Sequence, residues 1–188
     1  MKEILKLGLI LFIITAVSGG LLGFAYEITK EPIAEQVRLA NEEAMVKSFP
    51  QGEKFKKIEA EIPEDSNVVE IHAVYKGNVL EGFVVKVLSK GFGGPIEMTV
   101  GVSKDGMVQG VSILGHSETP GLGAKAQEDD FLSRYQGKSG ILTVVKTGAS
   151  KDNEIEAISG ATITSKAVTD GINEVLDFIE NHLDADNF

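Results

Sequence analysis

The chain has 188 residues, 43% of them hydrophobic, and a formal net charge of −10 at pH 7. The length suits one domain of ordinary size plus an appendage, and the acidity argues against a nucleic-acid partner, because phosphate binding requires clustered Lys and Arg. Cysteine is absent, which excludes disulfides, Cys-ligated zinc and Cys-ligated iron–sulfur clusters, and the three scattered histidines lack metal-binding spacing. Any electron carrier in this chain must therefore be an organic cofactor.

The first predicted element is a transmembrane helix. Residues 7–26 form an uncharged segment of 20 residues, about the length that a helix needs to cross the hydrocarbon core. Lys2 and Lys6 precede it, which favours a cytoplasmic N-terminus and places the rest of the chain on the outer face. A cleaved signal peptide with small residues at 16–18 is the alternative. The apolar run continues through Phe24, however, which favours a retained anchor.

One face of this helix carries small residues. Thr15, Gly19 and Gly23 fall four positions apart, and small side chains let another transmembrane helix approach closely. Glycine is also common in such helices without any partner. We favour the interpretation that the stripe contacts another membrane subunit.

A second helix is predicted from about residue 33 to residue 48. Pro32 fits its first turn, the residues that follow are rich in Ala, Glu, Gln and Leu, and the Pro-Gln-Gly sequence at 50–52 ends it. The chain is therefore expected to divide into a transmembrane anchor over residues 1–30, a helical connector over residues 31–52 and a domain over residues 53–188.

Alternating apolar residues and turn residues predict a series of strands in this domain. They lie at 55–62, 68–75, 79–88, 98–103, 107–114 and 141–146, with turns at 76–78 and 104–106 and a helix-like stretch at 129–135. A last helix is predicted from about 165 to 182, with an apolar stripe of Val168, Ile172, Val175, Leu176, Ile179 and Leu183. The predicted fold class is α+β: a single N-terminal transmembrane helix, then a domain with a mostly antiparallel sheet and flanking helices.

Three glycine-rich segments interrupt the strand pattern, at 90–96, 118–123 and 159–165. Glycine allows the backbone to approach a flat ligand closely, although ordinary turns explain each segment taken alone. The third segment leads into the last helix, with Thr164 or Ser165 as the expected N-cap and Thr162 just before the helix. A phosphate there would face free backbone N–H groups and the positive end of the helix dipole. The residues alone predict either an anion site or a capped helix with small residues packed beneath it.

Taken together, the three segments resemble a known family. Their sequences are Gly-Phe-Gly-Gly-Pro-Ile, Glu-Thr-Pro-Gly-Leu-Gly and Ser-Gly-Ala-Thr-Ile-Thr-Ser. In this order they are similar to the FMN-binding domain of the G subunit of the Rnf electron-transport complex. The C subunit of the sodium-translocating NADH:quinone reductase is similar as well, but it is typically longer. The resemblance covers nearly the whole chain, including the single N-terminal transmembrane helix.

The resemblance implies covalent FMN, held by a phosphoester to Thr162 that a flavin transferase installs from FAD. Ser159, Thr164 and Ser165 are the alternative attachment hydroxyls. The family has Asp six residues before the attachment threonine, in the transferase's recognition signal, where this chain has Glu156. No catalytic residue and no metal ligand is predicted. The other cofactor-binding residues that the resemblance implies are Ser159, Gly160, Ala161, Thr164, Ser165, Glu118, Thr119, Gly121, Leu122, Gly123, Phe92, Gly93 and Gly94.

By this resemblance the chain is an electron-transfer subunit of a membrane-bound, ion-translocating oxidoreductase complex that links ferredoxin and NAD. Its expected partners are the other membrane subunits of the complex, a flavin transferase during maturation, and the cell (inner) membrane, with the FMN domain on the outer or periplasmic face. The alternatives are the C subunit of the quinone reductase, a free-standing exterior flavin-bearing reductase module, and a non-redox assembly module without flavin.

Overall fold

The structure is a computed structural model that describes residues 1–183. Within these residues, 1–40 and the chain from Asn41 to Leu183 form two compact units. The first unit is helical from Lys2 onward and belongs to helix α1, Lys2–Ser48. Within residues 1–183, α1 is the one helix long and apolar enough to cross a membrane.

Helix α1 continues through Pro32 without interruption. The proline leaves the carbonyl of Ile28 without its usual helical donor, but strong helix formers on both sides keep the chain helical. The predicted start of a new helix at Pro32 is therefore wrong. The predicted end before residues 50–52 is confirmed, because α1 stops at Ser48.

The second unit is built on a five-stranded antiparallel sheet whose strands lie side by side in chain order. The strands are β1 Lys54–Lys57, β2 Val68–Lys76, β3 Val79–Lys90, β4 Pro95–Ser103 and β5 Val108–Gly115. Short turns with Gly77 and Gly106 at positive φ connect β2 to β3 and β4 to β5, because glycine adopts this conformation without steric cost. The α+β prediction with a mostly antiparallel sheet is confirmed.

One face of the sheet forms the main core. Ile71, Val85, Val100 and Val111 lie in register across four strands and are buried. They belong to the same apolar cluster as Val168, Ile172 and Val175 of helix α3, Thr162–His182, which packs against β3 and β4. The apolar stripe read from the sequence is therefore the buried face of this helix.

Gly171 brings α3 close to the sheet. A β-carbon at this position would lie 2.3 Å from the Cε of Met98 and 3.1 Å from the Cβ of Ser89. The Ser89 hydroxyl also donates a hydrogen bond of 2.6 Å to the carbonyl of Ala167. These contacts fix the height of α3 over β3 and β4, and with it the position of the start of the helix.

A smaller substructure links β5 to α3. It contains helix α2, Asp129–Leu132, and two short strands, β6 Thr143–Val145 and β7 Glu154–Glu156, which pair in parallel. Strand β6 is shorter than predicted, and β7 was not predicted at all. The guanidinium of Arg134 donates a 2.8 Å hydrogen bond to the carbonyl of Glu156, which holds β7 just before the third glycine-rich segment.

Candidate functional site

The three glycine-rich segments meet around one cavity. The first joins β3 to β4, the second follows β5, and the third leads into α3. The cavity has a volume of about 420 Å³, within the range of about 300–1,000 Å³ that is usual for small-molecule sites. Its lining residues are Phe92, Glu118, Thr119, Leu122, Gly123, Gly160, Ala161, Thr162, Ile163 and Thr164.

Nine of the fourteen residues expected to bind the cofactor line this cavity. The other five, Gly93, Gly94, Gly121, Ser159 and Ser165, lie in the same three segments but do not line it. Gly93 instead packs against the backbone at the start of the second segment, because a β-carbon there would lie 2.1 Å from the carbonyl oxygen of Ser117 and 3.2 Å from the Cα of Glu118. Ile163 also lines the cavity but was missed by the sequence reasoning, which placed it in the third segment and singled out the glycines and hydroxyl residues around it.

The start of α3 differs from the prediction. The helix begins at Thr162, three residues earlier than expected, and Ala161 occupies the N-cap position without a side-chain cap. Gly160, at a φ of +78°, turns the chain into the helix. Capping by Thr164 or Ser165 is therefore wrong, because both hydroxyls lie inside the first turns and are used elsewhere.

The first turn of α3 leaves backbone donors at the cavity. The first intrahelical bond of the helix runs from the Ser165 N–H to the Ala161 carbonyl, at 3.0 Å. The N–H groups of Thr162, Ile163 and Thr164 therefore precede it and have no intrahelical acceptor. All three residues line the cavity. Free N–H groups at the positive end of a helix dipole favour a bound phosphate or other anion.

The four hydroxyl groups of the third segment lie in different surroundings. Ser165 is fully buried, and its hydroxyl donates to the Ala161 carbonyl and accepts from the Ile158 N–H, each at 3.0 Å. Thr164 is 2% exposed, and its hydroxyl donates to the Glu118 carboxylate. Ser159 is exposed but does not line the cavity. The Thr162 hydroxyl makes no hydrogen bond within residues 1–183.

Glu118 is a buried acidic residue among the lining residues, only 5% exposed. Its Oε1 accepts a 2.9 Å hydrogen bond from the Gly93 N–H, and its Oε2 accepts the Thr164 hydroxyl at 2.5 Å. Its own N–H donates to Nδ1 of His116 at 3.2 Å. A single carboxylate thus contacts the first and third glycine-rich segments from the second.

Apolar side chains surround the mouth of the cavity. Phe92, Leu122 and Ile163 are 68%, 45% and 57% exposed, and each comes from a different glycine-rich segment. The Cδ2 of Leu122 lies 3.1 Å from the position that a β-carbon on Gly160 would occupy. The arrangement therefore offers apolar surface beside the free backbone N–H groups at the start of α3.

A second cavity lies near the C-terminal half of α3, at the turn between β4 and β5. Its volume is about 560 Å³, and Phe83, Asp105, Ile141, Asn173 and Glu180 are among its lining residues. It contains none of the residues expected to bind the cofactor. Within residues 1–183, no group of three or more His, Asp or Glu side chains is placed to hold a metal ion.

Comparison with known proteins agrees with this geometry. Residues 1–46 match the family model of the RnfG N-terminal region, and residues 91–177 match that of the FMN-binding domain. The chain is also 40% identical over 163 residues to the G subunit of the proton-translocating ferredoxin:NAD(+) oxidoreductase complex of Clostridium ljungdahlii, covering 86% of this chain and 83% of that protein. The chain belongs to the family of Rnf G subunits. The family resemblance read from the three glycine-rich segments is thus confirmed.

Other members of this family match over most of their length. The G subunit of the Na(+)-translocating ferredoxin:NAD(+) oxidoreductase complex of Acetobacterium woodii is 35% identical over 196 aligned positions, covering 96% of this chain and 93% of that protein. The region that matches the FMN-binding model, residues 91–177, contains all of the second and third glycine-rich segments. It also contains the first segment except Lys90. An FMN-binding domain is thus present where the cavity lies.

Two solved structures share the fold. The C subunit of the Na(+)-translocating NADH-quinone reductase from Parabacteroides distasonis has a TM-score of 0.59 at 19% identity, covering 78% of this chain and 94% of that one. NqrC of Shewanella oneidensis has a TM-score of 0.52 at 22% identity, covering 69% and 67%. At these identities the likeness concerns the fold alone.

Proposed function

We propose that this chain is the electron-transfer G subunit of an ion-translocating ferredoxin:NAD oxidoreductase complex and carries FMN covalently on Thr162. The relatives named above are subunits of such complexes. The observation that carries the proposal is the position of Thr162, a residue with an unbonded hydroxyl at the start of a helix, within a cavity of an FMN-binding domain.

The residues at the cavity fit the two parts of FMN. The N–H groups at the start of α3 suit the phosphate, since they lack intrahelical acceptors. The exposed side chains of Phe92, Leu122 and Ile163 suit the flat faces of the isoalloxazine ring system. FMN supplies the electron-transfer chemistry once bound, and the protein positions the ring and tunes its surroundings. The cavity also contains the Glu118 carboxylate as its buried acidic group.

The surroundings of the hydroxyls favour Thr162 as the attachment residue. Thr164 and Ser165 are buried and hydrogen-bonded, so modification would first have to break those bonds. In the transfer, the Thr162 Oγ would form a bond to the FMN phosphorus of FAD, the pyrophosphate bond would break, and AMP would leave. The hydroxyl proton would be lost to a base of the flavin transferase. Glu156, exposed on β7, lies in the segment that the transferase would recognise.

The remaining assignments concern the organisation of the chain. We propose that residues 1–30 anchor it in the cell membrane, that residues 31–52 form a helical connector, and that residues 53–188 form the FMN-binding domain. The lysines before the apolar segment favour a cytoplasmic N-terminus and an FMN domain on the outer face. Other membrane subunits of the complex, and a flavin transferase during maturation, are the proposed partners.

Mass spectrometry on the full chain, coexpressed with a flavin transferase, tests the attachment. No Lys or Arg lies between Lys151 and Lys166, so one tryptic peptide contains all four hydroxyls of the third segment, and the modified residue must be identified by fragmentation. We expect one FMN on Thr162, none in Thr162→Ala, and partial modification in Thr162→Ser.

Ser159→Ala is the matched control, because it removes a neighbouring hydroxyl and leaves Thr162 in place. It should carry FMN at the level of the unmodified chain. Covalent FMN that persists in Thr162→Ala, or that maps to another residue, would falsify the assignment.

A further inference from the structure

Glu118 joins all three glycine-rich segments through one side chain. It belongs to the second segment, its Oε1 accepts the N–H of Gly93 in the first, and its Oε2 accepts the hydroxyl of Thr164 in the third. These contacts span 25 and 46 positions of the sequence, respectively. The carboxylate is thus the common hydrogen-bonding partner of the two segments that flank it.

The glycines around Glu118 leave room for its carboxylate. A β-carbon on Gly91 would lie 2.3 Å from Oε1. A β-carbon on Gly123 would lie 2.5 Å from Oε2 and 2.7 Å from the Thr164 hydroxyl oxygen. Side chains at either position would displace the carboxylate from its hydrogen bonds. The absence of side chains at Gly91 and Gly123 therefore allows the Glu118 carboxylate to reach its hydrogen-bond donors.

No Lys, Arg or His within residues 1–183 forms a salt bridge with this carboxylate. The carboxylate is buried, and the Gly93 N–H and the Thr164 hydroxyl are its hydrogen-bond donors. A buried charge held by hydrogen bonds alone depends strongly on each of them, because removal of one donor leaves an oxygen both desolvated and unpaired. The Gly93 and Thr164 bonds are therefore mutually reinforcing.

Thr164 transmits this constraint to Thr162. The two residues lie in the first turn of α3, and a helical turn moves as a unit because its backbone angles are fixed. The bond from Thr164 to Glu118 therefore sets where the first turn lies relative to the other two segments. On the other side, the Gly93 bond sets the position of the neighbouring Phe92.

We propose that Glu118 is a positioning residue, rather than a direct flavin contact, which holds the first turn of α3 against the first glycine-rich segment so that Thr162 is presented for FMN transfer. This inference rests on the proposed function, because it assigns the role of Glu118 through the modification of Thr162. Both carboxylate oxygens are already occupied by the protein, so neither needs the cofactor as a partner.

The rate of FMN transfer to the purified full-length chain in detergent, with a flavin transferase and FAD, measures this presentation. We compare Thr164→Val with Thr169→Val. Thr169 is 1% exposed on the same helix, and its hydroxyl also makes buried hydrogen bonds, at 2.8 Å with the Tyr135 hydroxyl and 2.9 Å to the Ser165 carbonyl. Both variants lose a buried hydroxyl, but only Thr164→Val loses the contact with Glu118.

We expect transfer to Thr164→Val to be about tenfold slower or more, since a hydrogen bond to a charged group is lost, while Thr169→Val keeps the normal rate. Glu118→Ala should be slowed at least as much. Glu118→Gln should be close to normal, because its carbonyl can accept from Gly93 and its amide can donate to the Thr164 hydroxyl. Thr164→Ser, which keeps the hydroxyl, should also be close to normal.

Hydrogen–deuterium exchange on the flavin-free chain provides a readout that does not depend on modification. Peptides that cover residues 91–97 should exchange faster in Glu118→Ala and in Thr164→Val than in Thr169→Val. Equal transfer rates and equal exchange in Thr164→Val and Thr169→Val overturn the positioning role. Absence of covalent FMN on Thr162 in the unsubstituted chain overturns the proposed function instead, while the exchange comparison still decides whether Glu118 holds the segments together.

Discussion

The carbonyl oxygen of Ser48, at the end of α1, lies directly over Gly101 in β4. A β-carbon on Gly101 would stand only 2.1 Å from that oxygen. The Ser48 hydroxyl is also within 2.7 Å of the Thr99 hydroxyl, on the same face of the strand, and both residues are buried. The backbone at the end of α1 is therefore in direct contact with the backbone of β4, on the face of the sheet opposite α3.

This contact predicts the effect of a methyl group at Gly101. Gly101→Ala should lower the free energy of unfolding of the domain by about 1–3 kcal/mol, because the backbone of Ser48 must move to admit the new atom. Gly115→Ala is the matched control in β5, since the nearest atom to its β-carbon would be 3.9 Å away. Thermal unfolding followed by circular dichroism measures both. Equal melting temperatures of the two variants would show that the end of α1 can move away from Gly101 without a loss of stability.

A second prediction concerns pH. His72 is half-buried on the α1 face of the sheet, with its Nε2 3.7 Å from the carboxylate of Glu70. Burial lowers the pKa of His72 below its ordinary value of 6.5, Glu70 opposes this, and Lys57 and Lys86 reinforce it. Because the folded protein then binds the proton less tightly than the unfolded chain, stability is complete above about pH 6.5 and falls as the pH decreases.

His72→Gln should therefore reduce the loss of stability between about pH 7 and pH 5.5, because the substituted side chain does not titrate. His182→Gln, at the exposed end of α3, controls for the removal of a histidine. Melting temperatures at several pH values provide the test. An unchanged dependence of melting temperature on pH in His72→Gln would mean that other groups cause the pH dependence.

The Glu70 carboxylate has a lowered pKa through its hydrogen bond with Lys57, so its contribution to stability is lost only at more acidic pH.

A third prediction concerns the apolar part of α1. The β-carbon positions of Gly19 and Gly20 are both open, with no atom within 4 Å, but only Gly19 belongs to the stripe with Thr15 and Gly23. If the stripe contacts a partner helix, Gly19→Leu should reduce the yield of intact complex. Gly20→Leu adds the same side chain about 100° away around the helix and should be tolerated. Similar yields of intact complex for the two variants would show that the stripe does not contact a partner helix.

A fourth prediction concerns topology. Lys2 and Lys6 precede the apolar segment, which favours export of everything after it. A reporter that is active only outside the cytoplasm, fused after Phe188, should therefore be active, and a cytoplasmic reporter at the same place should be inactive. Replacement of both lysines by glutamate tests the cause and should reduce the export. Activity of the cytoplasmic fusion alone would show that the domain lies in the cytoplasm, contrary to the prediction.

The sequence predicted those parts of the fold that local patterns determine. The strands β2 to β5 alternate apolar and polar residues between glycine turns, and the stripe of α3 repeats at helical spacing, so each could be read within a short window. Strand β7 was missed because three residues carry little pattern and its partner β6 pairs with it in parallel across a loop. Helix α1 was divided wrongly at Pro32, because proline is common in the first turn of a helix, whereas here the surrounding helix formers keep the chain helical through it.

The site was predicted at the level of segments rather than of individual contacts. The glycines and the Thr162 motif identified the three segments that line the cavity. The role of Glu118 could not be read, because its partners Gly93 and Thr164 are distant in the chain and only the fold brings them together. The helix start was misplaced for a related reason. Hydroxyls that look like caps in the sequence are used by Glu118 and by the backbone before α3.

The space shared by Glu118, Gly91 and Gly123 also constrains the order in which this chain can change. Alanine at Gly123 collides with the carboxylate while Glu118 is present, and shortening residue 118 removes this contact but leaves the one of 2.7 Å with the Thr164 hydroxyl oxygen. The same substitution is thus more harmful in one background than in the other, so the two free-energy changes are not expected to add. A mutational path that begins at the glycine meets the clash with the carboxylate, whereas a path that begins at the carboxylate instead loses the hydrogen bonds of Gly93 and Thr164 to Glu118.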